Sequence, residues 1–160
     1  MRKDDVRAQV AIAVRACMDK KAQDITILRL DAAASGFTDY FVICSGANQR
    51  QVEAIAEGVD EKLSRAGYEP RGVEGQRQAE WVLLDYVDFV VHIFSESARK
   101  FYDLERLWKT ATRVELADLE KPEPRKVALK RTVPTKTAAA VHSQKKARGA
   151  AHISKRVRKS

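Results

Sequence analysis

The sequence predicts an α/β (α+β) domain, a mixed β-sheet flanked by helices, followed by a basic C-terminal tail outside the sheet. Three observations lead there. Two stretches, 6–17 and 52–63, repeat apolar residues at the period of an amphipathic helix. Four short runs, at 25–30, 40–44, 81–84 and 89–94, are rich in β-branched and aromatic residues, as strands are. The charge is split as well: residues 1–108 hold 15 Lys and Arg against 18 Asp and Glu, whereas 109–160 hold 15 against 4. All eleven aromatic residues lie at or before Trp108, so a core has to be built ahead of that point.

Each element has its own signal. Asp4 or Asp5 is placed to cap a first helix whose inner stripe is Val6, Val10, Ala13, Val14 and Cys17. Lys20 and Lys21 end it with the positive charge that a helix dipole favours there. Residues 25–30 follow as a strand, and Ser35-Gly36 signals a turn. Residues 40–44 are continuously apolar, the pattern of a central strand covered on both faces. Asn48 suits the N-cap of a second helix, with Val52, Ile55, Ala56, Val59 and Leu63 inward and Gly67 at its C-terminal cap. Residues 68–75 form a short extended piece punctuated by Pro70, Gly72 and Gly75.

Residues 81–84 and 89–94 then make an antiparallel hairpin about a turn at 85–88. Ser95 or Ser97 starts a last helix in which Phe101, Leu104, Leu107 and Trp108 share a face. The expected order is α-β-β-α-β-β-β-α. It fills a domain at 1–112, with a basic extension at 113–160 that is disordered from about 121 because its apolar content cannot offset ordering entropy.

Composition narrows the function classes. Two cysteines, Cys17 and Cys44, do not make a disulfide framework and fit a reducing compartment. The first residues lack the apolar stretch of a signal peptide. The most apolar run, 81–94, is interrupted by Asp85, Asp88 and His92 and is too short to span a bilayer. The expectation is a cytoplasmic protein with no membrane partner.

Catalytic and cofactor constellations are weak. Of three histidines, His92, His142 and His152, two lie in the tail, and no metal-ligand spacing accompanies them. Cys44 with His92 as its base is conceivable if their strands pair, but no cation neighbours Cys44 in the sequence to lower its pKa. The glycines of 72–75 and of Ser45-Gly46 match no phosphate-loop pattern and read as turns. Asp85 and Asp88 are three apart, so on a continuous strand they would face opposite sides, and they read better as the two ends of a turn. No catalytic residue, metal site or cofactor is expected.

At residues 39–46, Asp-Tyr-Phe-Val-Ile-Cys-Ser-Gly, the sequence resembles the ribosomal silencing factor (Iojap-like) family. Four more pieces follow in that family's order: 51–56, 72–75, 81–85 with 88–94, and Tyr-Asp-Leu-Glu-Arg-Leu-Trp at 102–108. No single piece is diagnostic, but five in register, across roughly residues 4–110, are specific. The resemblance implies a nucleotidyltransferase-like topology that lacks the transferase's Asp-x-Asp metal pair. It also implies binding to the large ribosomal subunit through its fourteenth universal protein, with steric exclusion of the small subunit and repression of translation when nutrients are short.

The residues that match the family pattern and would meet this partner are Trp81, Asp88, Tyr102, Asp103 and Glu105, since exposed aromatics and carboxylates suit a basic protein. Core packing is the alternative for Trp81, and Asp103 and Glu105, about 200° apart on a helix, cannot both meet one flat patch, so one of them is peripheral. The family is often a homodimer, so pairing is a further expectation. Two features depart from the pattern. Where the family has Gly between the hairpin aspartates, this chain has Tyr86 and Val87, and a β-branched residue resists the positive φ that a Gly suggests. The basic tail also extends past the family core. From 121 to 160 it carries 13 Lys and Arg against Glu123 alone, which suits a polyanion such as ribosomal RNA. The competing readings are an enzyme of the nucleotidyltransferase kind and an RNA-binding module driven by the tail.

Overall fold

Alternation along one strand decides the layers. Every residue of β2 (Tyr40–Gly46) is buried, yet Tyr40, Val42 and Cys44 enter one core while Phe41 and Ile43 enter another. The computed structural model describes residues 3–31, 36 and 38–122, apart from the side chains of 3 and 4. The disorder expected of the tail falls outside these residues, as does Ser35 of the expected turn; Gly36 is within them, with φ +75°.

β2 is central for a topological reason. It pairs in parallel with β5 (Phe89–Ser95) and antiparallel with β1 (Gln23–Arg29). β4 (Trp81–Asp85) lies antiparallel beyond β5, β3 (Gly72–Glu74) closes that edge and β6 (Thr112–Val114) closes the other. The order is β3-β4-β5-β2-β1-β6. One parallel pair among antiparallel ones makes the sheet mixed, as the sequence predicts.

Two long helices cover one face. α1 (Lys3–Asp19) and α2 (Gln49–Arg65) press all ten predicted stripe residues, from Val6 to Leu63, into that core. α1 starts at Lys3, so Asp4 and Asp5 fall in its first turn rather than ahead of it. Asn48 caps α2, its side chain accepting the Gln51 amide at 2.8 Å, and Gly67 turns the chain away at φ +94°. Each fully buried side chain such as Ile55 or Leu63 contributes about 1.5–3 kcal/mol of transfer free energy.

The opposite face departs from the prediction. The single helix expected from Ser95 is two short ones, α3 (Glu96–Tyr102) and α4 (Leu104–Leu107), separated by Asp103 at φ 45°. That left-handed residue breaks the helical repeat. Leu104 and Trp108 stay buried over the sheet, whereas Phe101 is 64% exposed and Leu107 46% exposed. Phe101 and Leu107 are therefore not core residues. Aspartate tolerates the left-handed region better than most residues, which is why the break can occur there.

β6 and α5 (Leu116–Glu120) have no counterpart in the sequence reading and lie beyond residue 112 or at its edge. β6 pairs with β1, and Leu119 joins the core beneath α1. Arg7 of α1, itself buried, donates to the carbonyls of Asp118 and Lys121, and Arg15 pairs with Glu120. The Arg7 contacts satisfy carbonyls at the end of α5 that the short helix cannot pair itself, while Arg15 adds an exposed ion pair to the Glu120 carboxylate.

The hairpin turn settles the aspartate question. Asp85 Oδ1 accepts the Val87 amide at 2.8 Å and Oδ2 pairs with Arg71 at 2.6 Å, so Asp85 builds a turn. Val87 sits at φ +74°, where its branched side chain is strained, and it is 46% exposed, so little packing compensates. Val87→Gly should stabilise the protein by about 1 kcal/mol, the relief of left-handed strain less the chain entropy that glycine adds. A urea midpoint at or below that of the parent protein would contradict the strain.

Candidate partner-binding surface

The predicted surface residues separate when placed on the fold. Trp81 starts β4 and is 3% exposed, so it is a core side chain and not an exposed anchor. Its register explains this: Trp81 pairs with Phe94 and projects into the layer beneath α3. Its indole packs at 4.5 Å between ring centroids on both Phe94 and Tyr102, and Nε1 donates to His92 Nδ1 at 3.1 Å. Tyr102 lies above it at the end of α3, half-buried, and Asp103 follows, exposed. Trp81 thus supports Tyr102 from below.

Asp88 is elsewhere. It precedes Phe89 at the start of β5, six residues from the Phe94 that pairs with Trp81. At about 3.3 Å per residue this is roughly 20 Å along the sheet. Its carbonyl accepts the Asp39 amide at 2.8 Å and so ties the hairpin to the chain entering β2. Tyr102, Asp103 and Glu105 are neighbours on the α3–α4 break, with Phe101 exposed beside them.

Glu105 is committed to an internal network. Arg99 donates to both of its carboxylate oxygens, at 3.2 and 2.9 Å. The same guanidinium reaches the Asp24 carbonyl at 2.7 Å, Ser45 Oγ at 3.0 Å and Thr26 Oγ1 at 3.3 Å. Arg99 therefore pins α3 to the ends of β1 and β2, inside the sheet, and to α4 together. The hydrogen bonds from Arg99 hold the Glu105 carboxyl below its ordinary pKa, against the opposing effect of burial. Nothing in the sequence singles Arg99 out, since an arginine in a helix reads as a solvated one. Only the fold brings its partners, from β1, β2 and α4, within reach.

The Cys44–His92 pair does not form. Cys44 faces the α1 side, in the same core as Cys17, while His92 faces the α3 side against Phe41. Adjacent strands place Ile43, not Cys44, opposite His92. His92 is buried, with Nδ1 accepting from Trp81 and Nε2 lacking a hydrogen-bond partner, and burial pushes its pKa down to about 3. Unfolded, the same imidazole takes up its proton near 6.5. Stability is therefore complete above that pH and falls as the pH drops towards 3, by up to about 1.4 kcal/mol per unit. Between pH 7 and 5 the parent protein should lose about 2 kcal/mol more than His92→Gln, which keeps a polar side chain but does not titrate. Parallel urea midpoints for the two proteins across that range would refute the assignment.

Among the described residues, no helix is long and apolar enough to cross a membrane. The model of the family described as "Ribosomal silencing factor during starvation" matches residues 3–148. The chain is 42% identical over 109 residues to the Ribosomal silencing factor RsfS of Bacillus subtilis, covering 68% of this chain and 89% of the relative. Among solved structures, a Bacillus halodurans protein superimposes with a TM-score of 0.57 at 39% identity, over 66% of this chain and 95% of its own. A Chromobacterium violaceum protein does so with a TM-score of 0.60 at 32% identity, over 81% and 98%. The family model spans the sheet and both helical layers described above, and with these relatives it shows that the chain belongs to the ribosomal silencing factor family.

Proposed function

We propose that the protein binds the large ribosomal subunit in the cytoplasm through its fourteenth universal protein, and that it silences translation sterically, without catalysis. The observation that carries this is the α3–α4 break, in a chain of the silencing factor family. It presents Tyr102, Asp103 and the exposed Phe101 on a base made rigid by Trp81 and by the Arg99–Glu105 pair. An aromatic and apolar centre with a carboxylate beside it suits a basic protein surface. A body seated where the small subunit docks prevents joining by occupancy alone. Asp88, at the other end of the sheet, belongs to this contact only if the partner spans that distance.

Co-sedimentation with isolated large subunits tests the reading. Phe101→Ser and Asp103→Asn should each weaken binding at least tenfold while leaving the fold intact, since asparagine also accepts the left-handed backbone. Undiminished binding by both variants would place the contact elsewhere. The tail, with its 13 bases from 121 to 160, is proposed to reach neighbouring ribosomal RNA. Truncation after 122 should then weaken binding and flatten the dependence of log K on log salt, by about one unit for each phosphate that the tail neutralises. Pairing of two copies is a further proposal, read by light scattering across concentrations.

A further inference from the structure

Cys17 and Cys44 come from different elements, the last turn of α1 and the centre of β2, and their side chains meet. The Cys44 thiol lies 3.9 Å from the Cys17 sulfur, and both residues are 0% exposed. We propose that this pair is a thiol–disulfide exchange site, which a small-molecule disulfide converts to an intramolecular disulfide clamping α1 onto the sheet. The sulfurs need to close by roughly 2 Å to reach a bond of about 2.05 Å.

The chemistry balances without any group outside the pair and the reagent. One thiol, as thiolate, attacks a sulfur of the small disulfide and expels a small thiolate. The second cysteine then attacks the protein sulfur of that mixed disulfide and expels the other. Two electrons pass from the cysteines to the reagent, and the two cysteine protons end on the two small thiols.

Access sets the rate. In the closed fold the hydrogen bond with Cys44, together with burial, raises the Cys17 thiol pKa well above the ordinary value, so the buried pair is inert. Cys17 is, however, only two residues from the end of α1 at Asp19, and Met18 beside it is 52% exposed. Helix ends open at far lower cost than the whole fold, so unwinding this turn exposes Cys17 first. Once Cys17 carries the mixed disulfide, re-closure returns it to Cys44, which completes the exchange. The product ties together two residues 27 apart in sequence. It should raise the folded-to-unfolded ratio on the order of a hundredfold. Because α1 also holds α5 through Arg7 and Arg15, the clamp secures the point from which the basic segment departs.

The test incubates the full chain with oxidised glutathione in native buffer and follows intact mass and thermal unfolding. The expected product is lighter by two hydrogen atoms, yields one cross-linked peptide holding both cysteines, and melts at a higher temperature until reduced. Cys44→Ala, which keeps the core apolar, should give a glutathione adduct on Cys17 instead, and Cys17→Ser, whose remaining thiol is closed in the centre of β2, should give almost none; neither should melt at a higher temperature. The proposal is overturned if the native parent protein shows no mass loss, or only persistent glutathione adducts, while the same protein in urea cross-links readily.

Discussion

Gly75→Ala should destabilise the protein by about 3–5 kcal/mol, a large part of the 5–15 kcal/mol typical of a domain. Gly75 follows β3 at φ +84°, and a Cβ built there would stand 1.9 Å from the Trp81 carbonyl oxygen. That distance is far inside van der Waals contact, and the obstacle is backbone, which cannot rotate aside. The carbonyl belongs to the first residue of β4, so relief would move the strand that positions Trp81. Gly72, three residues earlier at the other end of β3, meets nothing within 4 Å, and Gly72→Ala should stay within about 0.5 kcal/mol of the parent protein. Urea midpoints for the two variants decide the matter, and similar values for both would remove the steric argument.

The same pair of glycines shows where the sequence is legible. Strand and helix periodicity located the two long helices, β1, β2 and the hairpin, because each buries a stripe or a face large enough to dominate its own composition. The continuous apolar run of β2 could even be read as burial on both sides. What could not be read was anything resting on a single dihedral angle. The break at Asp103 turns Phe101 and Leu107 outward, yet their spacing with Leu104 and Trp108 is that of an ordinary buried stripe. Val87 is the instructive exception: where the family has glycine, the sequence leaves either a different turn or a strained one, and the backbone adopts the strained one at φ +74°. β6 and α5 were invisible for another reason. Three and five residues long, they owe their structure to pairing with β1 and to Arg7, not to their own pattern.

The candidate surface was legible in sequence but not in depth. Motif matching brought Tyr102, Asp103 and Glu105 forward together, and the fold keeps them together. Helix geometry sets one of Asp103 and Glu105 aside, but only the fold shows that it is Glu105. Glu105 satisfies Arg99, and Phe101, whose spacing reads as a core position, is exposed. A carboxylate and an aromatic are recognised by type, whereas the role of Glu105 depends on Arg99, whose own place is set by β1 and β2, 54 to 75 positions earlier in the chain.

Trp81→Ala should cost about 3–5 kcal/mol of stability and, with it, subunit binding. Deleting the indole empties a site lined by Phe94, Tyr102 and His92, and removes the donor to His92 Nδ1. Tyr102 then loses the ring it rests on, so the α3–α4 surface is displaced even at temperatures where the domain remains folded. Trp81→Phe separates support from contact. It keeps an aromatic ring under Tyr102 and loses mainly the hydrogen bond, which should cost about 1–3 kcal/mol for the unpaired buried nitrogen. If Trp81 acts only from beneath, the phenylalanine variant should bind large subunits within a few-fold of the parent protein when both are fully folded, while Phe101→Ser should not. Loss of binding by Trp81→Phe with its fold and Tyr102 environment intact would show instead that the indole itself reaches the partner. A urea midpoint for Trp81→Ala equal to that of the parent protein would deny that the ring is buried at all.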